Sequence, residues 1–172
     1  AVATDAPQAP APAEEPAAEE PKVQFAEPRG LVVCFWNTLK LGCLKSKLPM
    51  VSACVARLVC KFKVDVLLLS EVPLKVGADR VAQLLAMLEA ASGVAYTVHF
   101  SEASGVGTDQ NQREHHVALV RASLKVDATF THHTYVDSAL HERPLDHAPF
   151  TVFLRDPRFA DKACTRFALT SV

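Results

Sequence analysis

Between Leu31 and Gly93 the sequence changes its hydrophobic period from strand to helix twice in succession, and that alternation limits the folds open to it. LVVCFWN, Leu31 to Asn37, is an unbroken apolar run of strand type that ends on a polar amide. In SKLPMVSACVARLVCKF, Val51, Cys54, Val55, Leu58, Val59 and Phe62 recur at helical spacing, with Ser46 and Pro49 as start signals. VDVLLLSEVP, Val64 to Pro73, is a second buried strand. ADRVAQLLAMLEAASG then predicts a second amphipathic helix through Val81, Leu84, Leu85 and Leu88, capped at Asp79 and stopped near Gly93. Two strands separated by a helical crossover pair in parallel, so the sequence predicts a mixed α/β sheet.

After Gly93 the pattern is of strands alone: about Tyr96–Ser101, His115–Arg121, Val126–Tyr135, Phe150–Leu154 and Thr165–Val172, separated by loops rich in Gly, Asp, Asn and Pro. No internal repeat is visible. Residues 1–28 are different in kind, a run rich in Ala, Pro and Glu with few large apolar residues, and they read as a disordered linker ahead of one domain over 29–172. That linker carries Asp5, Glu14, Glu15, Glu19, Glu20 and Glu27 against Lys22 alone, so the near-neutral chain, at −1 overall, has a mildly basic body. Such a balance suits a polyanionic substrate but is ordinary for any domain of this size.

No apolar run approaches the ~20 residues of a membrane span, so no membrane segment is expected. The five cysteines, Cys34, Cys43, Cys54, Cys60 and Cys164, are odd in number, lack C-x-x-C spacing and fall mostly in apolar segments. They read as reduced core thiols, which favours an intracellular, reducing compartment.

The strand ends hold the polar residues that matter. Three leucines lead directly into Ser70 and Glu71, and a carboxylate is costly to bury. Glu71 is either the first solvated residue after a core strand or a ligand-binding group held at the core's edge. Asn37 ends the preceding strand in the same way, and Glu114, in QREHHVALV, stands just before a later one. Ligands gather at the carboxyl ends of strands in open α/β sheets, so Asn37 and Glu71 are candidates to share a site.

Taken in order, VCFWNTLKLG, VDVLLLSEVP, REHHVALVR and HAPFTVFL resemble the first half of the endonuclease/exonuclease/phosphatase superfamily, most closely its deoxyribonuclease I-like branch, over Leu31 to Val172. The resemblance implies the first half of a four-layer sandwich, two mixed sheets face to face with helices outside, truncated at the C-terminus. It implies Mg²⁺-dependent hydrolysis of phosphodiester bonds in nucleic acid or of another phosphate ester, with Mn²⁺ or Ca²⁺ as alternative cations. Glu71 would ligate the metal, Asn37 would position metal or phosphate, and Glu114 would pair with a catalytic histidine. His147 stands where an Arg commonly contacts substrate in this pattern. A hard cation would also explain the place of Glu71, because it offsets the desolvation of the carboxylate.

The sequence also departs from the pattern. The catalytic histidine would follow FALTSV, and the Asp-x-Asn, Asp and Ser-Asp-His elements of the second half lie outside these residues, so the chain as given is expected to be inactive by itself. Two further readings stay open: a phosphomonoesterase of the same superfamily, and a degenerate non-catalytic module serving as a binding or structural element. With the core expected between sheets drawn from different halves, an uncovered apolar sheet face is expected to drive self-association or capture a partner protein. The remaining polar clusters take a structural reading. The pairs His115–His116 and His132–His133 point to opposite strand faces and cannot jointly hold zinc. Ser104–Gly107 lacks the lysine of a phosphate loop, and Trp36 reads as core packing.

Overall fold

The computed structural model describes residues 30–38, 49–105, 113–136, 138–159 and 166–171. The linker at 1–28, Ser46, Cys43, Cys164, Val106, Gly107, Thr165 and Val172 lie outside the described residues. Strand β1 is Val33–Asn37, helix α1 Pro49–Lys61, β2 Val66–Pro73 and α2 Gly77–Ser92, in the predicted alternation. There follow β3 Tyr96–Phe100, β4 Glu114–Arg121, β5 Lys125–Thr131, β6 Thr134–Val136, β7 Glu142–Pro144, β8 Phe150–Arg155 and β9 Arg166–Ser171.

A four-stranded sheet runs β1-β2-β4-β3, with β1 and β2 parallel and the other pairs antiparallel. A second sheet, β5-β8-β9, is wholly antiparallel, and β6 and β7 form a separate ribbon. The pleat of β2 sends Leu67, Leu69 and Val72 to one face, where they pack with Val59 of α1, Val81, Leu84 and Leu88 of α2, and Val117 and Leu119 of β4. Val66 and Leu68 go to the other face and meet Ala118, Val120, Phe150, Val152 and Leu154. The result is three layers: helices, first sheet, second sheet. The central run of leucines is buried on both faces, which is why it carries no alternation in sequence.

Helix α2 lies against the end of β2 at Gly77, where an added Cβ would overlap the Val72 side chain. Asp79 sits in the first turn rather than at the cap; the cap position is Val76, which makes no side-chain cap hydrogen bond. Gly93 closes the helix as expected, in the left-handed conformation with its N–H donating to Glu89 O.

The second sheet differs from expectation in origin. β5, β8 and β9 cover the inner face of the first sheet from within this chain, so the inter-sheet core does not wait on another half. Among the described residues β1 is an edge strand, and its Val33 and Phe35 are 40% and 51% exposed on the inter-sheet side; Phe130 and Phe153 are exposed on the second sheet. The predicted strand Val126–Tyr135 is broken at His132–His133, because Thr131 is the last residue paired with β8 and the chain turns away into the ribbon. Of the three described cysteines, Cys34 and Cys60 pack on the helix-side core, whereas Cys54 is exposed and is not a core thiol.

The start of the first sheet is tied by one buried acid. Asp65, 2% exposed, accepts from Val32 N at 3.0 Å and pairs with Arg121 at 3.3 Å and Arg158 at 3.5 Å. Arg158 also grips Asp156, whose carboxyl is held below its ordinary range chiefly by the hydrogen bonds from the Arg158 side chain.

Candidate functional site

Asn37 and Glu71 come together at the carboxyl ends of the parallel strands β1 and β2. The register sets Asn37 opposite Ser70, and Asn37 Nδ2 donates to Glu71 Oε1 at 2.8 Å. Glu71 is not the last residue of its strand. On the β4 side the pairing jumps from Leu69↔Val117 to Val72↔His115, so Ser70 and Glu71 together oppose one residue, His116, in a bulge. Within it Glu71 has φ 56°, a left-handed conformation without glycine's freedom. Such a conformation costs about 1–3 kcal/mol and persists where its surroundings over-determine it, most often at functional sites.

Thr38, 1% exposed, supplies that surrounding. Its N–H donates to Ser70 O at 3.1 Å, and its Oγ1 lies 2.7 Å from Ser70 O and 3.0 Å from Glu71 O. Ser70 Oγ is buried and makes no hydrogen bond among the described residues.

Glu114 is the first residue of β4 rather than part of the preceding loop; it is buried, opposite Pro73, and its backbone bridges to Ser104 in both directions at 2.9 Å. The pleat places Glu114 and His116 on the face toward the second sheet. His116, 6% exposed, reaches Ser171 Oγ of β9 through Nδ1 at 2.7 Å and so joins the two sheets beside the bulge. Burial holds its imidazole below the ordinary 6.5, the charge of His147 lowers it further, and the Glu71 carboxylate partly offsets both. His147, exposed in the segment between β7 and β8, therefore lies within electrostatic reach of the same group. The neighbour His115 turns the other way, its Nδ1 donating to Ser101 O at 2.8 Å.

Sequence reasoning singled out Asn37 and Glu71, which the structure brings together, and did not single out their neighbours Thr38, Ser70, His116 and Ser171. The one available signal was the polar break EHH at the head of an otherwise apolar strand.

Glu71 offers a carboxylate, and Asn37, which turns Nδ2 toward it, carries Oδ1 as a second hard oxygen. That donor chemistry fits Mg²⁺, which takes few protein ligands and retains waters. Among the described residues no group of three or more His, Cys, Asp or Glu is arranged to hold a metal ion, so the fit is that of a partial shell. A cavity of about 510 Å³ lies elsewhere, lined by Val59, Lys63, Asp65, Tyr96, Arg121 and Arg158. Its arginines are engaged by Asp65 and Asp156, and the carboxyl ends of both helices border it, which disfavours an anion there.

No family model and no curated protein matches the sequence. The fold is similar to that of an endonuclease/exonuclease/phosphatase family protein from Leptotrichia buccalis C-1013-b, at 15% identity and a TM-score of 0.58, over 83% of this chain and 53% of that one. It is also similar to the human Nocturnin catalytic domain, solved with a bound sulfate anion, at 15% identity and a TM-score of 0.50, over 81% of this chain and 48% of that one. The chain thus spans about half the length of these two structures, and over that span it has their mixed α/β, deoxyribonuclease I-like fold. No helix among the described residues is long and apolar enough to cross a membrane.

Proposed function

We propose that residues 29–172 carry the metal-binding part of a Mg²⁺-dependent phosphoesterase site, acting on phosphodiester bonds of nucleic acid. The observation that carries this reading is the strained carboxylate in the β2 bulge: Glu71, at φ 56°, is held at 2.8 Å by Asn37, the last residue of β1. A residue that only marked the end of a strand would need neither the left-handed backbone nor the amide clamp.

When bound, a divalent cation polarises a phosphoryl oxygen and lowers the pKa of a coordinated water. Glu71 and Asn37 would hold it, with Mn²⁺ and Ca²⁺ as alternatives. Glu114 is assigned the acid that orients a catalytic imidazole, fixing its tautomer and favouring its charged form. His147, exposed beside His116, is assigned to the phosphate ester. His116 stays neutral under its burial and donates or accepts with Ser171 according to tautomer, keeping the two sheets in register below the site. The similarity in fold to an endonuclease/exonuclease/phosphatase family protein supports the reaction class at the level of the fold.

Paramagnetic Mn²⁺ tests the placement. Substoichiometric Mn²⁺ should broaden the Asn37 side-chain amide and the His116 and His147 ring signals before those of His132 and His133, which hydrogen-bond Thr151 and Glu102 instead. Broadening that begins at His132 and His133 would remove the metal from this site.

A further inference from the structure

Thr38 stands next to Asn37 in sequence, yet the two grip different parts of one residue. Asn37 holds the Glu71 carboxylate, and Thr38 holds its main chain. The Thr38 hydroxyl has one proton, and it lies between the carbonyl oxygens of Ser70 and Glu71 at 2.7 and 3.0 Å, so it bridges the two peptides that form the bulge. Its own N–H adds a bond to Ser70 O at 3.1 Å. The residue is 1% exposed, so water does not compete for these carbonyls. An apolar residue of the same shape would leave both carbonyls without the hydroxyl and the left-handed Glu71 without its brace.

We propose that Thr38 is a positioning residue for Glu71: its hydroxyl fixes the bulge in the one conformation that delivers the carboxylate to Asn37 at the strand ends. The consequence for binding rests on the reading of Glu71 as a cation ligand; the consequence for geometry does not. Groups that orient a ligand typically alter metal affinity by about 10–100-fold when removed.

The test uses the full chain in three variants, Thr38→Val, Thr38→Ser and Glu71→Gln, with Mg²⁺ alone as the titrant and the Asn37 side-chain amide signals as a cation-free readout. Thr38→Val should weaken Mg²⁺ binding about 10-fold or more and shift the Asn37 amide toward its solvated position; Thr38→Ser, which keeps the hydroxyl, should restore both. The proposal is overturned if Thr38→Val leaves the Asn37 amide unmoved and binds Mg²⁺ like the parent while Glu71→Gln loses binding. If Glu71→Gln binds like the parent, the cation reading fails by itself, and the amide shift alone still decides whether Thr38 sets Glu71. Should Thr38→Val not fold, Thr38→Cys, which keeps the volume with a weak donor, replaces it under the same two criteria.

Discussion

Asn37 and Glu71, 34 residues apart, meet side chain to side chain at 2.8 Å because β1 and β2 run parallel and β1 ends opposite Ser70, beside the β2 bulge. The amide donates to a carboxylate that the β2 bulge has turned out of the strand.

Asn37→Asp follows directly. It exchanges a donor for a second negative charge beside Glu71, losing a charge-assisted bond and adding repulsion. Without divalent ions the variant should be less stable by about 1 kcal/mol. With Mg²⁺ it should regain stability more steeply than the parent, since a ligand that binds only the folded form stabilises it. Thermal melts across a Mg²⁺ series read both effects, and a variant that melts like the parent at every concentration would contradict the pairing.

Acid sensitivity should come in part from His116. Its folded-state pKa lies below the ordinary 6.5, so the unfolded chain takes up the proton first. The stability it contributes is present above about pH 6.5 and is lost as pH falls through the lower folded value. His99, also lowered by burial, adds to the same window. Denaturant titrations between pH 7 and 5 should therefore give a shallower loss for His116→Asn than for the parent, with His99 contributing to the slope that remains. Equal slopes would show that His116 is not buried neutral.

Asp65 carries more of the fold than its place between two valines suggests. Removing its carboxylate leaves Arg121 and the Val32 N–H without their buried acceptor, and Asp65→Ala should cost about 3 kcal/mol. Arg155→Ala, which breaks the part-exposed pair with Asp127, should cost less, about 1 kcal/mol or below. Urea midpoints that rank the two in reverse would refute the assignment of the network to Asp65.

The open β1 border predicts association. Phe35 and Val33 are exposed on a strand that is an edge among the described residues, and an open sheet edge favours the addition of further strands. Sedimentation of the chain should show concentration-dependent self-association, reduced by Phe35→Lys on the exposed position. A monodisperse, dye-silent parent would mean that this border is already closed.

The strand and helix order was legible because burial on both faces leaves long apolar runs, and helices leave a 3.6 period. Asn37 and Glu71 were legible as polar stops on such runs. The bulge was not: SEVP contains no glycine, and a left-handed Glu71 is stabilised by Thr38, a contact 33 residues away. His116 was hidden for a related reason, since its partner Ser171 lies on another sheet, 55 residues on. The second sheet's origin was unreadable too, because periodicity identifies strands but not which strands pair.

The cation claim is tested most directly by calorimetric titration of the 172-residue chain with Mg²⁺, alongside Glu71→Gln. One carboxylate and one amide leave most of an octahedral shell to water, so binding should be weak, on the order of millimolar, and Glu71→Gln should abolish it while leaving the melting profile near that of the parent. Tight binding unchanged by Glu71→Gln would contradict the assignment of the site.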